Sequence, residues 1–245
     1  MYLPSLASAP THALPTGYTT RTYRKDGGAD AARYRFMWQE ANRRLYNDVT
    51  LQIPADWFYR SFGANEDEHE QRIIFVVDRG NPVGAITAWY YQDACGTMGQ
   101  VHNVCMLPSY TGQGLSKPLL SVVLRRQAEL GHTECRLSTT TRKLEAINLY
   151  AKFGFLPLLP EEPAQRPAAY RVWRELQPHL REPFAQTFGT EPLWSAQLPF
   201  SHRQRIGIGR HLVPAANLRR QSTTAIEPAA CSLARGCGHP RHSML

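Results

Sequence analysis

Val101–Lys117 reads VHNVCMLPSYTGQGLSK. An apolar strand is expected to run through Leu107–Tyr110 into a Gly-x-Gly turn at Gly112 and Gly114, with an amphipathic helix after it. Glycines at such a turn let main-chain N–H groups face outward and approach an anion closely. The first turn of the following helix adds unpaired donors and the positive end of its dipole. The segment therefore predicts a phosphate cradle built from backbone. A Gly-x-Gly turn is common, and the weight here comes from a second segment downstream.

That second segment is Arg142–Phe155, RKLEAINLYAKFGF. Leu144, Ile147 and Ala151 recur at helical spacing and predict a helix with one apolar stripe. Gly154 sits where a left-handed cap ends such a helix, and Phe155 restarts an extended run. Tyr150 lies near the helix C-terminus. Between the two helices, Gly131 reads as a helix stop and Glu134–Thr139 as a short strand. Upstream, Tyr18–Arg24 alternates like an edge strand, and Ala31–Leu45 and Asp56–Phe62 read as helices. Ile73–Val77 and Val83–Tyr91 read as strands joined by a hairpin turn over Asp78–Asn81. Glu66–Glu70 reads as a solvated acidic turn, and the alternating Tyr170–Leu176 as a strand closing the sheet.

The pair LPSYTGQGLSKPLL and AINLYAKFGF resembles the two hallmark segments of the GNAT superfamily of acyl-CoA N-acyltransferases. Their usual forms are V-x-P-x-Y-R-G-x-G-x-G and A-x-x-L-Y-x-x-x-G-F. The resemblance spans roughly Tyr18 to Leu176. It implies an α/β fold with a mixed six- or seven-stranded sheet flanked by about four helices. It also implies acetyl-CoA as acyl donor, no metal, and an amine acceptor. Carried over by position, the backbone of Val104 and Met106 pairs with the pantetheine arm. Gly112, Gln113, Gly114, Leu115 and Ser116 wrap the pyrophosphate, with Lys117 helping by charge. Tyr150 stands where the family keeps its general acid, and a phenol with an ordinary pKa of about 10 is protonated at neutral pH.

Four positions depart from the family pattern. Thr111 replaces the usual Gln or Arg, and Ser116 the usual Gly or Ala; neither change removes a backbone donor. Lys143 stands in place of a CoA-contacting Asn and is expected to meet a CoA phosphate as a point charge. Gln100 occupies the position of a frequent Glu base and cannot accept a proton. His102, two residues on and therefore on the same face of the strand, is the candidate base; its bland reading is a hydrogen-bonded histidine in the cleft floor.

Composition agrees with a soluble globular protein. The chain has 245 residues, 42% of them hydrophobic, and lacks an apolar run long enough for a membrane span. Residues 1–17 carry no positive leader and read as a disordered lead-in rather than a signal peptide. The five cysteines lack metal-ligand spacing, Cys105 and Cys135 read as core residues, and a cytoplasmic setting follows. Residues 18–176 are expected to form the acetyltransferase domain, as a monomer or homodimer. Residues 177–245 hold eight arginines, no lysine and three glutamates, and read as a poorly ordered basic extension. Nucleic acid is a less favoured partner for that tail than plain solvent. Gln204–Gly209 (QRIGIG) repeats the glycine pattern without a tyrosine helix after it. The expected function is direct acetyl transfer to a primary amine of a small molecule or protein. The alternative is a catalytically weak CoA-binding module whose basic tail engages an acidic partner or nucleic acid.

Overall fold

A computed structural model describes residues 1–93, 96–158, 164 and 166–181. Tyr2–Leu3 (β1) precedes Tyr18–Thr22 (β2), and three helices follow: Ala29–Tyr46 (α1), Trp57–Phe62 (α2) and Glu66–Arg72 (α3). Ile73–Asp78 (β3), Asn81–Asp93 (β4) and Gly96–Met106 (β5) form a meander. Ser116–Glu129 (α4), Cys135–Leu137 (β6), Leu144–Lys152 (α5) and Arg166–Leu176 (α6) complete the described elements. The six strands form one mixed sheet in the order β1-β6-β5-β4-β3-β2. Only β5 and β6 are parallel neighbours, as the crossover through α4 requires. This is the expected α/β architecture, with six α-helices where about four were expected.

The β3–β4 hairpin turns on Arg79 and Gly80, whose φ values of 47° and 83° are the two left-handed residues a tight twisted hairpin needs. Two apolar clusters cover the two sheet faces. One gathers α4, α5 and the N-terminal segment around Val101, Leu119, Val123 and Phe155. The other packs Tyr34 of α1 with Phe58, Phe62 and Phe75.

Residues 1–17 are not the disordered lead-in read from the sequence. Tyr2 and Leu3 pair antiparallel with Arg136 and Cys135. Tyr2 and Leu156 exchange backbone hydrogen bonds of 2.8 and 2.7 Å, and Leu6 N–H donates to Thr133 O at 2.9 Å. Further along, Ser121 of α4 accepts from His12 N–H and donates to Pro10 O. Met1, Tyr2, Leu3 and Leu6 are all buried. The small and proline residues between them hid four apolar anchors, too few to show a period.

Three other segments differ from their sequence readings. Glu66–Glu70 belongs to helix α3, because Asn65 Oδ1 caps the N–H groups of Asp67 and Glu68 and the acidic first turn suits the helix dipole. Tyr170–Leu176 is helix α6 rather than a closing strand. Tyr170, Trp173 and Leu176 also recur at helical spacing; Trp173 packs on the core while Val172, which alternation would bury, is 40% exposed. The strand before the glycine turn stops at Met106, and Pro108–Tyr110 form a 3-10 turn. The expectations for residues 182–245, including Gln204–Gly209, lie outside the described residues, as do Cys95, Cys231 and Cys237. No described helix is long and apolar enough to cross a membrane.

Candidate active site

The glycine turn has left-handed backbone at both of its glycines. Gly112 and Gly114 sit at φ of 80° and 76°, and a Cβ at either would meet nothing within 4 Å, so their backbone faces open space. Side chains brace the loop from behind. Gln113 Nε2 donates to Ser109 O at 2.9 Å, Arg44 Nη1 donates to Pro108 O at 3.0 Å and to Thr111 Oγ1, and Tyr18 donates to Gln113 Oε1. Buried Leu115 anchors the start of α4. Pro118 lies in the first turn of α4, where its missing N–H interrupts no helical bond. The amides of Ser116 and Lys117 are then first-turn donors without helical acceptors.

The cleft beside this loop arises where two strands part. β5 and β6 pair only through Gly99–Val101 and Cys135–Leu137. Beyond Val101, β5 continues to Met106 along β4, leaving its other edge without a strand partner among the described residues. A register shift opposite Ala85–Thr87 accompanies Asn103 at φ 47°, a β-bulge that bends β5 away from β6. Tyr34, buried in α1, fixes the bulge: its hydroxyl donates to Asn103 O and lies 3.0 Å from Thr87 Oγ1. The opening holds a cavity of about 150 Å³. His102, Asn103 and Val104 from β5, Ser138 and Thr139 after β6, Trp38 of α1, and Lys143 and Tyr150 of the α5 segment line it.

Four of the residues singled out in the sequence therefore meet in one cleft: His102, Val104, Lys143 and Tyr150. Met106 and the loop Gly112–Lys117 follow along the chain without lining that cavity. Asn103, Trp38, Ser138 and Thr139 were missed. An asparagine inside an apolar strand was the one available signal for the bulge, because Asn tolerates left-handed backbone better than its neighbours. Trp38 comes from an element far away in sequence and gave none.

Tyr150 is 8% exposed, its ring edge-on to Phe155 at 5.9 Å, and its hydroxyl has no protein hydrogen-bond partner among the described residues. Gly154, at φ 86°, ends the helix behind it, and Phe155 N–H donates to Tyr150 O at 3.1 Å. Burial pushes the phenol up to about 12, so it keeps its proton across neutral pH. His102 is half-buried against Phe62, and burial pushes it down to about 4. Gln100 Nε2 lies 3.2 Å from His102 Nδ1. An amide NH₂ can only donate, so Nδ1 accepts and the ring proton sits on Nε2 in this arrangement. Lys143 precedes α5, its ammonium 5.7 Å from the centre of the Trp38 ring, and Trp38 itself stacks on Trp57 at 5.3 Å.

The His102 shift carries a pH consequence with a definite sign. Its ring is neutral in the folded chain down to about pH 4 but takes a proton near 6.5 when unfolded. Stability from this group is therefore full above about pH 6.5 and drains away as pH falls towards 4. Thermal melting is expected to drop over that window, and to drop less in His102→Gln. Imidazole NMR shifts that titrate near 6.5 would contradict the assignment.

Residues 34–155 match the family model described as Acetyltransferase (GNAT) family. No curated protein matches the chain. Among solved structures it is similar to the aminoglycoside acetyltransferase meta-AAC0020 from an uncultured soil metagenomic sample, at 10% identity and TM-score 0.47 over 61% of this chain and 97% of that one. It is also similar to glucosamine-6-phosphate N-acetyltransferase from Arabidopsis thaliana, at 15% identity and TM-score 0.43 over 59% of this chain and 95% of the other. A GCN5-related N-acetyltransferase from Sphaerobacter thermophilus matches at 20% identity and TM-score 0.44, over 56% of this chain and 41% of that chain. Residues 34–155, which hold both the cleft and the glycine loop, belong to the acetyltransferase (GNAT) family.

Proposed function

We propose that the chain is an acetyl-CoA-dependent N-acetyltransferase that moves the acetyl group directly to a primary amine of a small molecule or protein. The observation that carries this reading is the parting of β5 from β6 at Asn103, with the Tyr150 hydroxyl unpartnered on the cleft wall. The residues present fit the donor. An open glycine loop leading into the N-terminus of α4 suits a pyrophosphate, and the edge of β5 at Val104 and Met106, without a strand partner among the described residues, suits an amide-bearing arm that pairs like an added strand.

Bound acetyl-CoA supplies an activated acyl group as a thioester. The β5 edge orients that group, and a backbone N–H near Val104 polarises its carbonyl oxygen, an effect commonly worth about a hundredfold or more. The amine nitrogen bonds to the carbonyl carbon as the carbon–sulfur bond breaks. Tyr150 donates its hydroxyl proton towards the sulfur as charge develops there, and burial keeps that proton in place until then. The amine proton leaves through water, since His102 presents an N–H rather than a lone pair at Nε2, and the same water path returns a proton to Tyr150. His102 then acts by positioning, and His102→Gln is expected to lower turnover less than about tenfold. A cytoplasmic setting and a monomeric or homodimeric state belong to the same proposal.

Release of free thiol from acetyl-CoA in the presence of an amine panel tests the reading. Turnover on an amine supports it; tight CoA binding with no turnover on any amine would leave a binding module instead. The cradle has its own test. Gly114→Val forces a β-branched residue into left-handed backbone at a cost of about 1–3 kcal/mol. CoA affinity by calorimetry is expected to fall by roughly tenfold or more, given 1.4 kcal/mol per decade. Unchanged affinity would remove the loop from the binding site.

A further inference from the structure

Among the described residues the cleft wall carries one cation, Lys143, and no carboxylate. No carboxylate lies within ion-pair distance of Lys143 among the described residues, and its ammonium rests against the face of Trp38. Burial holds it below the ordinary lysine range, the mark of a charge that has lost water without gaining a counter-ion. Two arginines outside that lining carry the same sign. Arg142 lies 5.6 Å from the centre of the Tyr46 ring, and Arg44 donates to the glycine loop; neither forms an ion pair among the described residues.

A desolvated ammonium without a counter-ion in a cavity is the complement of a carboxylate, which accepts from it. We propose that Lys143 binds the acceptor through a carboxylate, so that the substrate is an amine carrying a carboxylate near the reacting nitrogen, as a free amino acid does. The proposal rests on the acetyltransferase reading above and specifies its acceptor. It places the Lys143 charge at the acceptor rather than at a CoA phosphate. A cleft of this sign also disfavours polycationic amines, which would bring like charge to Lys143.

Two measurements test it. In turnover assays across the protein amino acids and their carboxamides, the best free acid is expected to exceed its own amide in kcat/KM by at least about tenfold, the scale of one charge-assisted hydrogen bond. Lys143→Gln is expected to erase that ratio while holding CoA affinity within about twofold, and Lys143→Arg to retain part of it. Amides turned over as fast as acids would overturn the inference. So would a Lys143→Gln variant that loses CoA affinity and keeps the ratio, which would make a CoA phosphate the anion. The second measurement needs no catalysis: N-acetyl amino acids titrated into the CoA-loaded protein are expected to bind, and their amides to bind at least about tenfold more weakly. Binding of the acids without turnover on any amine would sink the catalytic reading and leave the anion site standing. No binding alongside turnover of neutral amines would do the reverse.

Discussion

Tyr150→Phe is expected to lower turnover by about a hundredfold to ten-thousandfold, the range a positioned acid supplies, with CoA affinity nearly unchanged. The substitution removes one oxygen and keeps the ring. The ring is what packs: it meets Phe155 edge-on and fills the wall between α5 and the sheet. The hydroxyl, by contrast, makes no hydrogen bond to the described protein, so its loss leaves no buried partner unsatisfied. Folding and CoA binding should survive while the proton donated to the sulfur disappears. Single-turnover kinetics beside calorimetry separate the two. A variant that binds CoA and turns over within a few-fold of the parent would return Tyr150 to an ordinary core residue.

Leu3→Ala carries the largest expected cost to stability, about 2–5 kcal/mol for truncating a buried leucine. Leu3 is 1% exposed, and its Cδ1 lies 3.3 Å from where a Cβ on Gly154 would stand. The N-terminal strand is thus a wedge between β6 and the turn that ends the Tyr150 helix. In a domain of this size the loss corresponds to roughly 5–15 °C in melting temperature. Activity at low temperature is expected to fall as well, because the turn at Gly154 and Phe155 sets where Tyr150 stands. A melting temperature within about a degree of the parent's would show that β1 merely rests on the sheet.

The parts of this protein readable in its sequence are those whose signals are local. Gly112 and Gly114 announce left-handed backbone, and the stripe Leu144–Ile147–Ala151 announces α5; each signal lies within a dozen residues of what it specifies. The hairpin at Arg79–Gly80 and the stop at Gly131 are of the same kind. The parts that stayed hidden depend on contacts between distant segments. Asn103 is bent by a tyrosine of α1, and the cleft is walled by Trp38 of that same helix. β1 exists because the edge of β6 is open to it, and no period in MYLPSL records that edge. Tyr170–Leu176 fits both a strand and a helix by spacing, and tertiary packing of Trp173 and Leu176 decides for the helix. β1 and α6 both lie outside residues 34–155, the span that the family model matches.

A crystal structure of the protein with coenzyme A tests the central claim most directly. The account predicts the pyrophosphate against the amides of Gly112–Lys117, the pantetheine arm alongside Val104 and Met106 in the gap between β5 and β6, and the sulfur within hydrogen-bond reach of the Tyr150 hydroxyl. A cofactor seated elsewhere on the chain, or one in that gap with Tyr150 turned from the sulfur, would contradict it.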